Sequence, residues 1–237
     1  MIQRSTPLAA SATHHLTHPS ARAPRAVIFD MDGVIVDSEP RHEQAFMEIF
    51  AEMGYGDSHG IHFPDYYGRS DRALWLDFIA RHQPPQPLDE LIHWKQNRLI
   101  DILRKEQPIY PAIPGLVERL AAVYPMAVAS GSMHRVIDAV LEMQGLRRHF
   151  RSIVSVQDVG RGKPAPDVFL KAAETLSVDP RDCWVIEDSA AGVDAALAAG
   201  MTAIAITNSL PADRLRQAHY VVRDYATVEA LLLPTRS

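Results

Sequence analysis

The sequence predicts an α/β protein: a doubly wound parallel sheet with a helical domain inserted after its first strand. Three observations predict it. Short, continuously apolar runs recur along the chain, the pattern of strands buried on both faces. Amphipathic helical patterns separate several of these runs, as connections between parallel strands require. Between the first run and the second lie about 70 residues of helical periodicity with no strand-like run, the size of a small domain.

Residues 1–24 are rich in Ser, Thr, Ala, Pro and His, carry no acid and hold no period, so they are expected to be a disordered tail. The first strand is expected over 26–29, Ala-Val-Ile-Phe, and it ends in acid at Asp30. Helical patterns follow over 41–53, 71–82 and 88–105, with a proline-rich break at 84–87 between the last two. Pro108, Pro111 and Pro114-Gly115 mark the return to the sheet. Further strands are expected over 126–129, 153–156, 184–186, 203–206 and, more weakly, 220–222. Helices are expected over 133–143, over 166–176 with Pro166 in the first turn, and over 190–199 with Ser189 as N-cap and Gly200 as stop. The reading divides the chain into the tail, a sheet domain of 25–37 and 108–237, and a helical domain of 38–107.

Composition narrows the class. With 237 residues, 47% of them hydrophobic and 22% charged, the chain can build a core without staples. A net charge of −5 argues against a nucleic-acid partner. One cysteine, Cys183, excludes a disulfide framework and a cysteine-rich zinc site, and it is expected to be an inert buried residue. No apolar run reaches the length of a membrane span. A cytoplasmic monomer acting on a small ligand is the expectation. Neither Gly-x-x-x-x-Gly-Lys-Ser/Thr nor Gly-x-Gly-x-x-Gly occurs, which disfavours a P-loop NTPase.

Four polar clusters sit just after four of the expected strands: Asp30 and Asp32; Ser130, Gly131 and Ser132; Lys163; and Glu187 with Asp188. In an open parallel sheet ligands bind outside the carboxyl ends of the strands, so all four converge on one edge. Four carboxylates gathered there repel one another unless a cation neutralises them. Oxygen ligands without His or Cys favour a hard ion, and Mg²⁺ is its natural identity. A Lys and a Ser beside such an ion can hold phosphoryl oxygens, one carboxylate can attack phosphorus, and a second, two residues along, can serve as acid and base. The constellation reads as phosphoryl transfer through an aspartyl-phosphate.

These residues carry a resemblance. The stretch from Asp30-Met-Asp-Gly to Pro40 resembles the first motif of the haloacid dehalogenase superfamily. Val128 to Ser132 is similar to its second, Gly162 to Asp167 to its third, and Ile186 to Gly192 to its fourth. The resemblance spans about residues 25–230 and points to the branch of β-phosphoglucomutase and its sugar-phosphate phosphatase relatives. It implies a Rossmann-like core, with 38–107 as the cap domain. It implies Asp30 as nucleophile and Asp32 as general acid and base, with the Asp32 backbone carbonyl on Mg²⁺. Ser130 would bind the phosphoryl group, Lys163 would offset its charge, and Asp188 would ligate the metal with Glu187 as a direct or water-mediated partner. Asp30 would join that metal shell, and Gly131 and Ser132 would lie against substrate.

Asp32 discriminates among the family's chemistries: members that expel halide or cleave phosphonates lack it, so an oxygen leaving group is implied. In the cap, His42, Arg69 and Lys95 match positions near substrate in relatives. The loop Gly68-Arg-Ser-Asp-Arg72 resembles one that reaches the active site, but Asp71 stands where the mutase carries Arg. The expected function is a Mg²⁺-dependent phosphatase acting on a small phosphorylated metabolite, a sugar phosphate. A β-phosphoglucomutase-like mutase is the alternative, and a receiver-type domain that only stores a phosphoryl group is a third reading.

Overall fold

A computed structural model describes residues 22–66 and 71–233. Six parallel strands form one sheet: β1 (Ala26–Phe29), β2 (Met126–Ser130), β3 (Ser152–Ser155), β4 (Cys183–Glu187), β5 (Thr202–Ile206) and β6 (Tyr220–Val222). Their spatial order is β3-β2-β1-β4-β5-β6. The chain winds outward from β1 through β2 to β3, returns, and winds the other way from β4. The switch point therefore lies between β1 and β4, where a crevice opens at the strands' carboxyl ends.

The central strands bury both faces, which is why their sequences are uninterrupted apolar runs. Alternate residues serve different layers. Val27, Phe29, Val128, Ile186 and Ile204 face one core with large side chains. Ala26, Ile28, Ala127, Ala129, Ala203 and Ala205 face the other, where small residues let helices lie close. On that second face pack α6 (Asp167–Leu176) and α7 (Ala190–Ala198). Ser189 caps α7 by accepting from the Gly192 N–H at 3.0 Å, and Gly200, at φ +75°, ends it. On the first face lie α4 (Ile113–Ala121), α5 (His134–Glu142) and α8 (Tyr225–Leu232).

Two of these helices correct the sequence reading. Pro114-Gly115, read as the return to the sheet, lies inside the start of α4, where a proline without N–H costs no bond. The helix α8 was hidden by its eight-residue length. The two are joined by Arg119, whose guanidinium donates to both carboxylate oxygens of Glu229 at 2.5 and 2.7 Å. A smaller shift affects β3, which ends at Ser155, so that Val156 begins a 3-10 turn.

Between β1 and β2 come α1 (Glu39–Glu52), α2 (Asp71–His82) and α3 (Leu88–Glu106). They share an aromatic core of their own, with Phe46, Phe50, Trp75 and Phe78 packed ring against ring. The chain leaves and re-enters the sheet layer through two adjacent segments. The Asp37 N–H donates to the Pro108 carbonyl at 2.9 Å, and Arg41 reaches both Asp37 and Glu106 at 2.8 Å. At the amino end, the Trp184 indole donates to the Arg22 carbonyl at 2.8 Å, so the chain docks against β4 from Arg22, three residues ahead of the expected start at 25. Among the described residues no helix is long and apolar enough to cross a membrane.

Candidate active site

The parallel register sets the first two acids side by side. Phe29 pairs with Ile186 across β1 and β4, and the Asp30 N–H donates to the Ile186 carbonyl at 3.0 Å, so Asp30 and Glu187 leave the sheet together at the switch crevice. Lys163, from the loop before α6, bridges them: its Nζ lies 2.5 Å from Asp30 Oδ1 and 2.6 Å from Glu187 Oε1. All three are largely buried, and the ammonium also sits over the Phe169 ring at 4.8 Å.

Glu187 is fixed through both oxygens. While Oε1 takes Lys163, Oε2 accepts from the Asp188 and Ser189 N–H groups and the Ser189 hydroxyl at 2.8, 2.8 and 2.9 Å. The same Ser189 hydroxyl oxygen caps α7, so the helix start and the site are one construction. Asp188 accepts from the Ser209 hydroxyl and fills the space left by Gly33, which has φ +73°. The loop holding Gly33 is pinned in turn: Asn208 donates to its carbonyl at 2.7 Å, and the Tyr225 hydroxyl donates to the Val34 carbonyl at 2.6 Å.

Asp30, Glu187 and Asp188 each bring a buried carboxylate oxygen within 4.8 Å of the others. Burial raises Asp30 above the ordinary carboxylate range, with repulsion from Glu187 and Asp32 adding to it against the pull of Lys163. Burial likewise raises Asp188, and Glu187 and Asp30 repel it further. Burial opposes the charge on Lys163, but Asp30 and Glu187 overcome it and hold the ammonium more firmly than usual. When all three carboxylates are ionised against the one ammonium, two negative charges remain, which one divalent cation would balance. The donor set is oxygen throughout and fits a hard ion of the Mg²⁺ class.

Asp32 has a different environment. Its Oδ1 accepts from the Ser38 hydroxyl at 2.6 Å, and Oδ2 from Ser132 at 2.8 Å and Ser130 at 3.3 Å. His42 Nε2 stands 3.8 Å from Oδ1. Burial pushes Asp32 up, but the His42 imidazole and the two best hydroxyl donors outweigh it and hold the carboxyl at about 2. Two neighbouring acids are thus driven apart, Asp30 up and Asp32 down.

The structure brings together Asp30, Asp32, Ser130, Ser132, Lys163, Glu187 and Asp188 as the sequence reading expected. Gly131 lies between the two serines, with no atom within 4 Å of where a side chain would begin. The residues of the helical insert differ. Lys95, expected at the substrate, is fully buried and its Nζ is shared among His42 Nδ1 at 2.6 Å and both Asp71 oxygens at 2.9 Å. His42 does face the site, between Asp32 and Asp71. Arg69, with Gly68 and Ser70, lies outside the described residues. Ser38, Asn208 and Ser209 were missed. Asn208 and Ser209 lie two and three residues after the end of β5, so the rule that singles out polar residues after a strand applies to them as well.

Fold and site together define an α/β enzyme with an acidic, cation-ready crevice at its switch point. The sequence profile of the haloacid dehalogenase-like hydrolases matches residues 24–200, and the chain belongs to that family. The fructose-1-phosphate phosphatase YqaB of Escherichia coli is 34% identical over 179 residues, covering 75% of this chain and 94% of the relative. Hexitol phosphatase B of the same organism is 32% identical over 186 residues, covering 76% and 82%. The crystal structure of β-phosphoglucomutase from Clostridium difficile superposes with a TM-score of 0.73 at 23% identity, over 88% of this chain and 97% of that one, a likeness of fold. These findings make the protein an enzyme of the haloacid dehalogenase-like hydrolase family.

Proposed function

We propose that the protein is a Mg²⁺-dependent phosphatase that hydrolyses a small phosphorylated metabolite, a sugar phosphate, through an aspartyl-phosphate on Asp30. The observation that carries this reading is the Lys163 bridge between Asp30 and Glu187 beside Asp188, with the hydroxyl-held Asp32 two residues from Asp30. Asp30 and Asp188, with the Asp32 backbone carbonyl, would hold the ion. Glu187, whose oxygens are already engaged, orients Lys163 and completes the shell. When bound, the ion neutralises the acids and the phosphoryl oxygens, letting an anionic nucleophile meet an anionic substrate.

The chain's own residues do the rest. Lys163 and Ser130 hold the phosphoryl group against Asp30. An Asp30 oxygen attacks phosphorus as the bond to the leaving oxygen breaks, and Asp32 gives that oxygen a proton. Asp32 enters ionised, but a phosphate monoester with a second pKa of about 6 can bring the proton in, and the hydroxyls of Ser38 and Ser132 keep the carboxyl turned toward it. In the second half Asp32 takes a proton from water as the water oxygen attacks phosphorus, the bond to Asp30 breaks, and inorganic phosphate leaves. A mutase shares the first half and differs in its acceptor, a sugar hydroxyl. Hydrolysis is the reading here because two relatives, YqaB at 34% identity and hexitol phosphatase B at 32%, bear phosphatase names, whereas the mutase likeness is one of fold. The test is phosphate release across a panel of sugar and polyol phosphates, with Mg²⁺ or with chelator. Release from at least one, dependent on Mg²⁺ and absent in Asp30→Asn, is expected; release that persists in the variant would overturn the reading.

A further inference from the structure

The cap contributes a buried ionic cluster that hydrolysis itself does not use. Asp71 begins α2, Lys95 lies mid-way along α3, and His42 lies in the first turns of α1. Lys95 is fully buried, with three donors, and it spends them on Asp71 Oδ1, Asp71 Oδ2 and His42 Nδ1. Its ammonium also sits over the Phe46 ring, 4.7 Å from the centroid. With Nδ1 against Lys95, the imidazole presents Nε2 to Asp32. One ring therefore separates Asp71 from the acid that serves the leaving oxygen, at 3.7 Å on one side and 3.8 Å on the other.

That distance places Asp71 beside whatever the leaving oxygen is attached to. The part of the substrate that is not transferred must lie between Asp32 and the cap, and there it meets Asp71, whose side chain keeps 23% of its surface open, and not Lys95, which keeps none. Glu39, one turn before His42 and exposed, adds a second carboxylate to the same field. Arg72 does not compensate. Asp71 shares the inward face of α2 with Leu74, Trp75 and Phe78, whereas Arg72 falls on the side of Leu76, which is 47% exposed.

We propose that Asp71 determines specificity: by neutralising Lys95 it leaves the cap side of the site without a free cation among the described residues, so the enzyme takes monophosphates whose remaining body is uncharged and hydroxyl-bearing, and rejects bisphosphates. This rests on the phosphatase reading and narrows its substrate class. Carboxylate oxygens accept from sugar or polyol hydroxyls, whereas a second phosphate brought next to Asp71 and Glu39 meets like charge, and among the described residues the nitrogen groups there, Lys95 and His42, are already engaged by Asp71 and Asp32. Removing the Asp71 charge would leave Lys95 uncompensated and turn the same region attractive to an anion.

The test uses hydrolysis of para-nitrophenyl phosphate, which has no charged distal group, and measures its inhibition by fructose 1-phosphate and by fructose 1,6-bisphosphate. In the wild-type protein the bisphosphate should inhibit more weakly than the monophosphate, by about tenfold or more. In Asp71→Asn the ratio should shrink at least severalfold or invert, and in Asp71→Glu it should persist. A bisphosphate that inhibits the wild-type protein as strongly as the monophosphate, including the case where neither inhibits, overturns the inference. So does a ratio unchanged in Asp71→Asn. If that variant fails to fold, the wild-type ratio and Asp71→Glu decide. Absence of para-nitrophenyl phosphate turnover by the wild-type protein would instead count against the phosphatase reading, which separates the two failures.

Discussion

Gly192 and Glu187 occupy adjoining space with no room for a methyl group between them: a Cβ at Gly192 would stand 1.6 Å from Glu187 Oε1 and 2.4 Å from Oε2. The acid that holds Lys163 can therefore fold back over the start of α7 only because residue 192 is glycine. Gly192→Ala should leave the sheet intact but push Glu187 off Lys163. Overpacking of this kind costs about 1–3 kcal/mol. Thermal unfolding should show that loss, and phosphatase turnover should fall by more than tenfold, about 1.4 kcal/mol. Normal turnover in a destabilised Gly192→Ala protein would mean that Glu187 does not need its present position.

Charge crowding makes a second, pH-dependent prediction. Asp30 titrates above its ordinary value in the folded protein, so between the two values the native state binds more protons than the unfolded state. Stability that is present at low pH is then lost as pH rises through this window. Asn cannot ionise, so in metal-free buffer Asp30→Asn should melt at or above the wild-type temperature near neutral pH, with the gap widening from about pH 5 to pH 8. Mg²⁺ should reverse the order by stabilising the wild-type protein more. Melting curves across pH with and without Mg²⁺ check both; a variant uniformly less stable in metal-free buffer contradicts the electrostatic account.

Asp188 lends itself to a metal titration. It brings a charge to the acidic cluster, is held by the Ser209 hydroxyl, and occupies the space that Gly33 leaves free of a side chain. Asp188→Asn should raise the Mg²⁺ concentration for half-maximal activity by about tenfold or more. Zn²⁺ should substitute poorly in an all-oxygen set. A Mg²⁺ dependence identical to wild type would remove Asp188 from the metal shell.

Much of this was legible in the sequence for a physical reason. A strand buried on both faces must be apolar throughout, so polar residues directly after it stand out, and parallel topology sends them all to one edge. Asp30, Ser130, Glu187 and Asp188 were visible in that way. The helices α4 and α8 were less so, because Pro114-Gly115 reads as a break and eight residues give little periodicity. Lys95 illustrates a different limit. Its match to a position near substrate in relatives suggests a substrate contact, but whether an ammonium is free depends on its partners. Asp71 lies 24 positions away on another helix and meets it only through the packing of α1, α2 and α3. Ser38 was hidden in the same manner, as its hydroxyl finds Asp32 through a turn that no spacing rule encodes.

The central claim is that phosphorus passes through Asp30 and that Asp32 carries the protons, and one variant isolates it. Para-nitrophenolate leaves without needing a proton, so Asp32→Asn should still form the aspartyl-phosphate from para-nitrophenyl phosphate while water attack slows by about 10²–10⁴-fold. Rapid mixing should give a burst of nitrophenolate approaching one per active chain, followed by slow turnover. Intact-protein mass after acid quench should show one added phosphoryl group, mapped to the peptide holding Asp30 and absent from the Asp30→Asn, Asp32→Asn double variant. Slow turnover without a burst, or a phosphoryl group that persists when Asp30 is replaced, would contradict the account.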